Sequence, residues 1–156
     1  MTYHFINLVS WQYFQHHCQN QKRYLDSISI SLLALLFGVR LKKFSGVSFF
    51  HDNRDKLHDA LFLVANSDQI FKYQLELPYW EDLDSIQFND ALRSKVKDFN
   101  KLVIGISSPK QDSLATQIQK EFPQKEIYCL GAAVYTNFSS YKVNNRFLWV
   151  YFLLSS

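Results

Sequence analysis

Small, polar and charged side chains are concentrated in residues 107–112, directly after an apolar run. That run, residues 101–106, has the pattern of a buried strand, and residues 111–121 have the pattern of an amphipathic helix. A helix that begins here directs free backbone N–H groups and the positive end of its dipole toward the turn, which suits a phosphate group. Lys110 adds positive charge, and Gln111 offers both a donor and an acceptor to a base or a sugar.

The same turn also has a purely structural interpretation. Ser107 or Ser108 would cap the helix, and Pro109 would lie in its first turn, where the missing N–H of proline costs nothing. Small-residue turns at strand ends are common in α/β proteins whatever their function, so spacing alone favours this interpretation. Phosphate binding and simple capping both stay open at this point.

The elements that would position this turn follow from the alternation of short apolar runs and amphipathic stretches, which is typical of βαβ units. Strands are predicted at residues 4–7, 60–65, 85–88, 101–106 and 126–132, and helices at 9–22, 28–37, 48–58, 67–75, 90–99, 111–121 and 144–154, with a loop at 77–84. Segment 28–37 is apolar and contains few polar residues, so it is predicted to be a buried helix. The pattern predicts an α/β fold, a Rossmann-like and mostly parallel sheet with helices on both faces, as a single domain over residues 1–156.

Ligands of such sheets bind beyond the carboxyl ends of the strands. Three segments should therefore meet there: the residues after Asn7, the turn at 107–112 and the segment 131–135.

Composition narrows the functional classes. Of the 156 residues, 47% are hydrophobic, 17% aromatic and 20% charged, a balance typical of a folded chain and not of a disordered one. The net charge of +3 is spread over scattered basic residues, without the basic stripe of a nucleic-acid-binding domain, so no nucleic-acid partner is expected. No signal peptide is recognisable, and the longest apolar run, residues 32–39, is too short to span a bilayer.

The histidines and cysteines do not show the spacing of a metal site. The histidines at 16 and 17 are adjacent and would diverge on a helix, and His51 and His58 could share a face but have no third ligand nearby. Cys18 and Cys129 lie far apart, without a CxxC motif, which favours two buried thiols in a reducing compartment. We therefore expect no metal and no cofactor.

Two motifs stand out around the turn. LVIGISSPKQDSLATQI is followed by EIYCLGAAVY, and each contains an apolar run that ends in small residues. The pair resembles the signature region of the WecG/TagA/CpsF glycosyltransferases, in which one strand runs into Gly-x-(Gly/Ser)-x-Pro-(Lys/x)-Gln-Glu and the next ends in Gly-(Gly/Ala)-(Ala/x)-Phe. The matching residues are Gly105, Ser107, Pro109, Lys110 and Gln111, with Asp112 for glutamate, and Gly131, Ala132 and Ala133, with Val134 for phenylalanine.

Three looser matches extend the resemblance to most of the chain. DSISISLLALLFG, from position 26, is similar to the Asp-Gly-Ile-Gly segment of that family, and on this match Asp26 takes the place of the proposed catalytic base. FINLVSW is similar to its opening strand, with Asn7 as the asparagine. NNRFLWVYFLL is similar to its closing Leu-Glu-Trp-Leu-Tyr-Arg stretch, with Phe152 in place of the arginine.

The resemblance implies an inverting, metal-independent transferase that moves a hexose or N-acetylhexosamine from a UDP-sugar to an undecaprenyl-diphosphate-linked acceptor, in bacterial surface polysaccharide synthesis. It implies a cytoplasmic enzyme with peripheral contact to the inner face of the membrane. Asp26 would be the general base. The nucleotide sugar would contact Asn7, Ser107, Ser108, Pro109, Lys110, Gln111, Asp112, Gly131, Ala132 and Tyr135.

Alternatives stay open. On spacing alone, Asp26 would simply cap the helix that follows it. Segment 147–153 is apolar all round, which favours a homo-oligomer or a lipid contact. Phe152 and the absence of the family's C-terminal appendage favour a second interpretation, a catalytically degenerate homologue that binds a nucleotide sugar or acts as a partner subunit.

Overall fold

Six parallel strands form the centre of the fold. The computed structural model describes residues 1–6, 22–25, 35–38, 45–65, 68, 79–82 and 87–135. The strands are β1 (Thr2–Ile6), β2 (Lys22–Leu25), β3 (Leu61–Val64), β4 (Tyr79–Asp82), β5 (Lys101–Gly105) and β6 (Glu126–Cys129). Their order across the sheet is β2-β1-β6-β5-β3-β4, and each neighbouring pair is parallel. The predicted α/β class with a parallel sheet is confirmed.

Helices cover both faces of this sheet, as predicted. They are α1 (Gly46–Asp52), α2 (Asp90–Lys97) and α3 (Lys110–Glu121), with 3₁₀ helices at Arg54–Leu57 and Gly131–Tyr135. Because successive strand residues point to opposite faces, Leu102 and Ile104 of β5 pack with α2 and α3, whereas Val103 packs with α1 and the 3₁₀ helices. The central strands are buried on both sides, which explains their almost uninterrupted apolar sequences.

Helices α1 and α2 begin where the sequence provides suitable caps. The Asn89 side chain accepts a hydrogen bond from the Leu92 amide at 2.9 Å, and α2 then buries Leu92 and Val96, four residues apart on one face. Ser45 caps α1 in the same way, through the Val47 amide at 3.3 Å. These local signals agree with the packing and fix where each helix meets the sheet.

The order of the strands places a topological switch point at the carboxyl edge of the sheet. The chain leaves β3 toward β4 on one side and leaves β5 toward β6 on the other, so the connections diverge between β3 and β5. Such a switch point is where open α/β sheets bind their ligands. Val64 lies opposite Gly105 at this point, and the Ala65 amide beyond β3 donates a hydrogen bond to the Tyr135 hydroxyl at 3.3 Å.

Both outer strands correct the sequence-based predictions. The strand predicted at 85–88 is wrong, because Gln87 and Phe88 lie outside any strand and β4 occupies Tyr79–Asp82, where a loop was predicted. The predicted helix 9–22 is wrong at its end, because Lys22 begins β2. Both are edge strands, which tolerate charged residues and a preceding proline, so their sequences lack the apolar pattern of a central strand.

Other boundaries differ in detail. The helix predicted at 48–58 is divided into α1 and a 3₁₀ helix, and the strand predicted at 126–132 ends at Cys129. The segment 28–37 was predicted to be a buried helix, but at its described end Leu36 and Phe37 are 81% and 78% exposed, and neither residue belongs to a core cluster. The prediction of burial is therefore wrong for these two residues. Gly38 ends the segment with a φ of +74°, its amide donating to the Leu35 carbonyl at 2.9 Å.

Several predicted elements lie outside the described residues: the helices at 67–75 (apart from residue 68) and 144–154, and most of those at 9–22 and 28–37. Within the part of the chain that is described, no helix combines the length and the apolar character required to cross a membrane.

Candidate functional site

The turn after β5 presents backbone groups at the carboxyl edge of the sheet. Four residues, 106–109, connect β5 to the 12-residue helix α3, and Ser107, Pro109 and Lys110 are exposed. The Gln111 amide donates to the Ser107 carbonyl at 3.2 Å. The amides of Lys110 and Asp112 donate to no carbonyl of the described residues. Because Asp112 is fully buried, this start of α3 offers the N–H group of Lys110 to an anion, with the Lys110 side chain at its rim.

The predicted serine cap is wrong. Pro109 occupies the N-cap position, and no side chain caps the helix. Ser107 is exposed, and the Ser108 hydroxyl donates to Oδ2 of Asp112, one turn along the chain. Ser108 makes this bond because the buried Asp112 carboxylate requires hydrogen-bond donors.

Gln111 carries an unusual buried amide. The residue is only 6% exposed, and its Oε1 atom has no hydrogen-bond partner among the described residues. Oε1 lies beside Gly131, 3.7 Å from the position that a Cβ would take there. A buried carbonyl without a donor costs about 1–3 kcal/mol. A ligand that supplies an N–H or O–H group would recover this free energy, so Gln111 is the strongest candidate recognition residue.

The turn after β6 lies against the turn after β5. Leu130 donates its amide to the Ile104 carbonyl at 3.1 Å, and a Cβ on Gly131 would lie 3.5 Å from the Ile106 carbonyl. Gly131 has a φ of +54°, a left-handed conformation that favours glycine. Ala132 is exposed and Tyr135 is half-buried, with its hydroxyl bonded to β3's end. Residues 107–111 and 131–135 are thus brought together, as the sequence predicts.

Asp112 lies in the interior, away from this exposed surface. It is fully buried, with Oδ1 located 3.0 Å from His4 Nδ1 of β1 and Oδ2 accepting from Ser108. Both oxygens are therefore engaged within the protein, and Asp112 acts on the turn through Ser108. Sequence reasoning missed His4, because one histidine in an apolar strand carries no signal of the residue it will meet.

A third side chain joins this buried pair. Cys129 of β6 is the register partner of His4, and one ligand atom from each of His4, Asp112 and Cys129 lies within 4.8 Å of the other two. All three residues are at least 99% buried. Nitrogen, oxygen and sulfur donors in one cluster can hold a transition-metal ion. Spacing along the chain does not reveal this cluster, because the fold brings together three residues from three separate elements.

Two predicted site residues, Asn7 and Asp26, lie outside the described residues. The strands that precede them, β1 and β2, end at Ile6 and Leu25, on the same edge of the sheet as β5. β2 is separated from β5 by β1 and β6, so the ends of β2 and β5 are three strand spacings apart, about 14 Å. The roles of Asn7 and Asp26 stay predictions.

Charged groups with shifted pKa values lie at the opposite, amino edge of the strands. Burial lowers the pKa of Lys125, whose ammonium group donates to the carbonyls of Lys97 and Phe99 at 3.1 and 2.7 Å. A hydrogen bond from Lys101 lowers the pKa of Asp59. These groups join α2 and the β3 connection to the sheet, so they stabilise the scaffold and do not belong to the candidate site.

Comparison of the chain with models of known protein families, with curated proteins and with solved structures gives no match.

Proposed function

We propose that this chain is an inverting glycosyltransferase that moves a hexose or N-acetylhexosamine from a UDP-sugar to a lipid-diphosphate-linked acceptor. The observation that carries the proposal is the turn at residues 106–109, which leads into α3 beside Gly131. The amide oxygen of Gln111 lies between the two turns and has no partner among the described residues. The sequence resemblance of these two turns to the WecG/TagA/CpsF signature region supports the choice of substrate.

The diphosphate of the donor would bind at the start of α3. The Lys110 amide, which donates to no carbonyl of the described residues, and the positive end of the helix dipole favour a negative charge there. The same groups would stabilise the charge that develops on UDP as its bond to the sugar breaks, and fixed dipoles do so without reorganisation. Lys110, which is exposed at the rim, adds a mobile positive charge.

The uridine or the sugar would meet the Gln111 amide. Oε1 accepts hydrogen bonds, so it suits the imide N–H of uracil or a sugar hydroxyl. Gly131 and Ala132 present little side-chain bulk beside it, and the hydroxyl of the half-buried Tyr135 accepts a hydrogen bond from the Ala65 amide after β3. Asn7 follows β1 in sequence and would complete this contact.

Asp26 is proposed as the general base. It would take the proton of the acceptor hydroxyl as that oxygen attacks the anomeric carbon, while the bond from this carbon to UDP breaks and the configuration inverts. A lipid-linked acceptor would require contact with the inner face of the membrane from the cytoplasm, and the apolar segment 147–153 is available in sequence for lipid or for a second copy of the chain.

Calorimetric titration with UDP tests the binding site. Gln111→Met removes the amide at nearly constant volume and should weaken UDP binding at least tenfold. Gln117→Met is the matched control, because Gln117 is exposed on the same helix, and it should change the affinity by less than twofold. If wild-type protein does not bind UDP at millimolar concentration, or both variants bind equally well, the proposed site is wrong.

Release of UDP from a panel of UDP-hexoses and UDP-N-acetylhexosamines, with a lipid-diphosphate-linked sugar as acceptor, tests transfer. Asp26→Asn should abolish release while leaving UDP affinity within twofold of wild type. A variant that retains full transfer would remove Asp26 from the mechanism.

A second candidate is a nucleotide-sugar-binding subunit without transferase activity. Phe152 favours it, because it stands where the resembling family has an arginine. UDP binding that is sensitive to Gln111→Met, together with no UDP release from any donor in the panel, would select this alternative.

A further inference from the structure

We propose that His4, Asp112 and Cys129 bind a zinc ion inside the fold. The three residues belong to β1, α3 and β6, and their ligand atoms approach one another within 4.8 Å. The ion would join β1 and β6, which are neighbours in the sheet, to α3, the helix at the candidate nucleotide site. This inference does not depend on the proposed transfer reaction.

The donor set selects the metal. One imidazole nitrogen, one carboxylate oxygen and one sulfur form the mixed set that zinc prefers, whereas Mg²⁺ and Ca²⁺ favour oxygen ligands alone. Cys129 is a buried thiol outside any disulfide, and the thiolate it would provide is the strongest zinc ligand of the three. Three protein ligands leave one tetrahedral position for a water molecule.

His4 and Asp112 are spaced nearly as in a zinc site, and the three ligand atoms, which lie within 4.8 Å of one another, would draw together around the ion. With bonds of about 2.0–2.2 Å to nitrogen and oxygen, tetrahedral ligands lie about 3.4 Å apart. His4 Nδ1 and Asp112 Oδ1 are 3.0 Å apart, so these two atoms would separate by only a few tenths of an ångström around the ion. Cys129 is paired in register with His4, so both side chains lie on the face of the sheet that α3 covers. The sulfur is therefore already on the same side of the sheet as the other two ligands.

Charge balance favours a divalent ion here. Asp112 and a Cys129 thiolate carry two negative charges, and His4 binds as a neutral imidazole, so a Zn²⁺ complex has no net charge. A neutral cluster avoids most of the cost of burying separate charges. Ser108 donates to Oδ2 of Asp112 and leaves Oδ1 for the metal, the kind of outer contact that orients a ligand carboxylate.

Titration with Co²⁺ tests this site without a change to the buried cluster. Co²⁺ substitutes for zinc and gives a thiolate-to-cobalt charge-transfer band only when sulfur is bound. The wild-type protein should develop this band with one equivalent of Co²⁺ and lose it when Zn²⁺ is added. Zn²⁺ at a hundredfold excess over its dissociation constant should raise the Tm by about 5–10 °C, through preferential binding to the folded state.

The control variant is Cys18→Ser, because Cys18 adjoins the histidine pair at 16 and 17 and could bind metal independently of the fold. The band should persist in Cys18→Ser, which leaves Cys129 as the one remaining thiol. Asp112→Asn should weaken Co²⁺ binding at least tenfold with circular dichroism unchanged; if that variant does not fold, the Cys18→Ser result decides alone. Loss of the band in Cys18→Ser, or its absence from wild type, would overturn the proposal.

Discussion

Replacing Gln111 by methionine should make the protein more stable and, at the same time, a weaker nucleotide binder. The side chain is 6% exposed, and its Oε1 atom has no partner among the described residues. Methionine has almost the same volume and helix propensity as glutamine, so the substitution removes the polar group with little change in packing or backbone.

The magnitude follows from the cost of the unpartnered atom. A buried carbonyl without a donor costs about 1–3 kcal/mol. Imperfect packing of the methionine thioether should offset part of the free energy gained when this carbonyl is removed. We expect a net gain of about 1–2 kcal/mol in the free energy of unfolding. For a chain of this length, that gain corresponds to a rise in Tm of about 2–8 °C.

Urea unfolding of the ligand-free protein, followed by circular dichroism, measures this gain. Gln117→Met on the exposed face of α3 is the control and should stay within about 0.5 kcal/mol of wild type. A Gln111→Met variant that is less stable than wild type by 1 kcal/mol or more would refute the reasoning, because the amide would then be satisfied in the free protein. A variant both more stable and unchanged in UDP affinity would separate the buried carbonyl from nucleotide binding.

Three further predictions concern the scaffold. Gly131→Ala forces a side chain into a conformation with φ of +54°, facing the Ile106 carbonyl at 3.5 Å, and should cost about 1–2 kcal/mol in urea unfolding; a loss below about 0.5 kcal/mol would show that the turn relaxes. Ile104→Ala empties a fully buried position on β5 and should cost about 2–5 kcal/mol, with the folded far-ultraviolet spectrum retained. Asp59→Asn should cost a few tenths of a kcal/mol at pH 7, because Lys101 lowers the pKa of this half-exposed carboxyl. Because its pKa is lowered, the charged carboxylate stabilises the fold at pH values above the ordinary pKa of 3.8, and this stabilisation is lost as the pH falls through the pKa of the folded protein. The difference in stability between wild type and variant should therefore vanish in acid. A difference that persists there would contradict the ion pair.

The central strands could be predicted from the sequence because burial on both faces requires continuous apolar residues. β3 and β5 illustrate this, with four consecutive buried residues each. The edge strands β2 and β4 could not be predicted in the same way. An edge strand is stabilised on one side alone, so its residues, such as KRYL in β2, do not differ from those of a loop or a helix end.

In the candidate site, too, one part could be predicted from the sequence and another part could not. The proximity of the turns at 107–111 and 131–135 follows from a general property of parallel sheets, whose carboxyl ends share one edge. The inward position of Asp112 does not follow from it, because that depends on a single histidine at position 4, far away in the sequence. Long-range polar pairs in a core are set by strand order and register, and neither can be obtained from the periodicity of one segment.

The place of β1 beside β6 has a consequence for how the nascent chain folds. Thr2 pairs with Ile127, so β1 cannot pair with β6 until β6, far later in the chain, has been synthesised. The chain between β1 and β6 is long, so closing this loop has an entropic cost that precedes any stability gained from pairing the two strands. We therefore expect β3, β4 and β5 to assemble first, with hydrogen-exchange protection of β1 appearing last during refolding, and β1 to need shielding from other chains during synthesis.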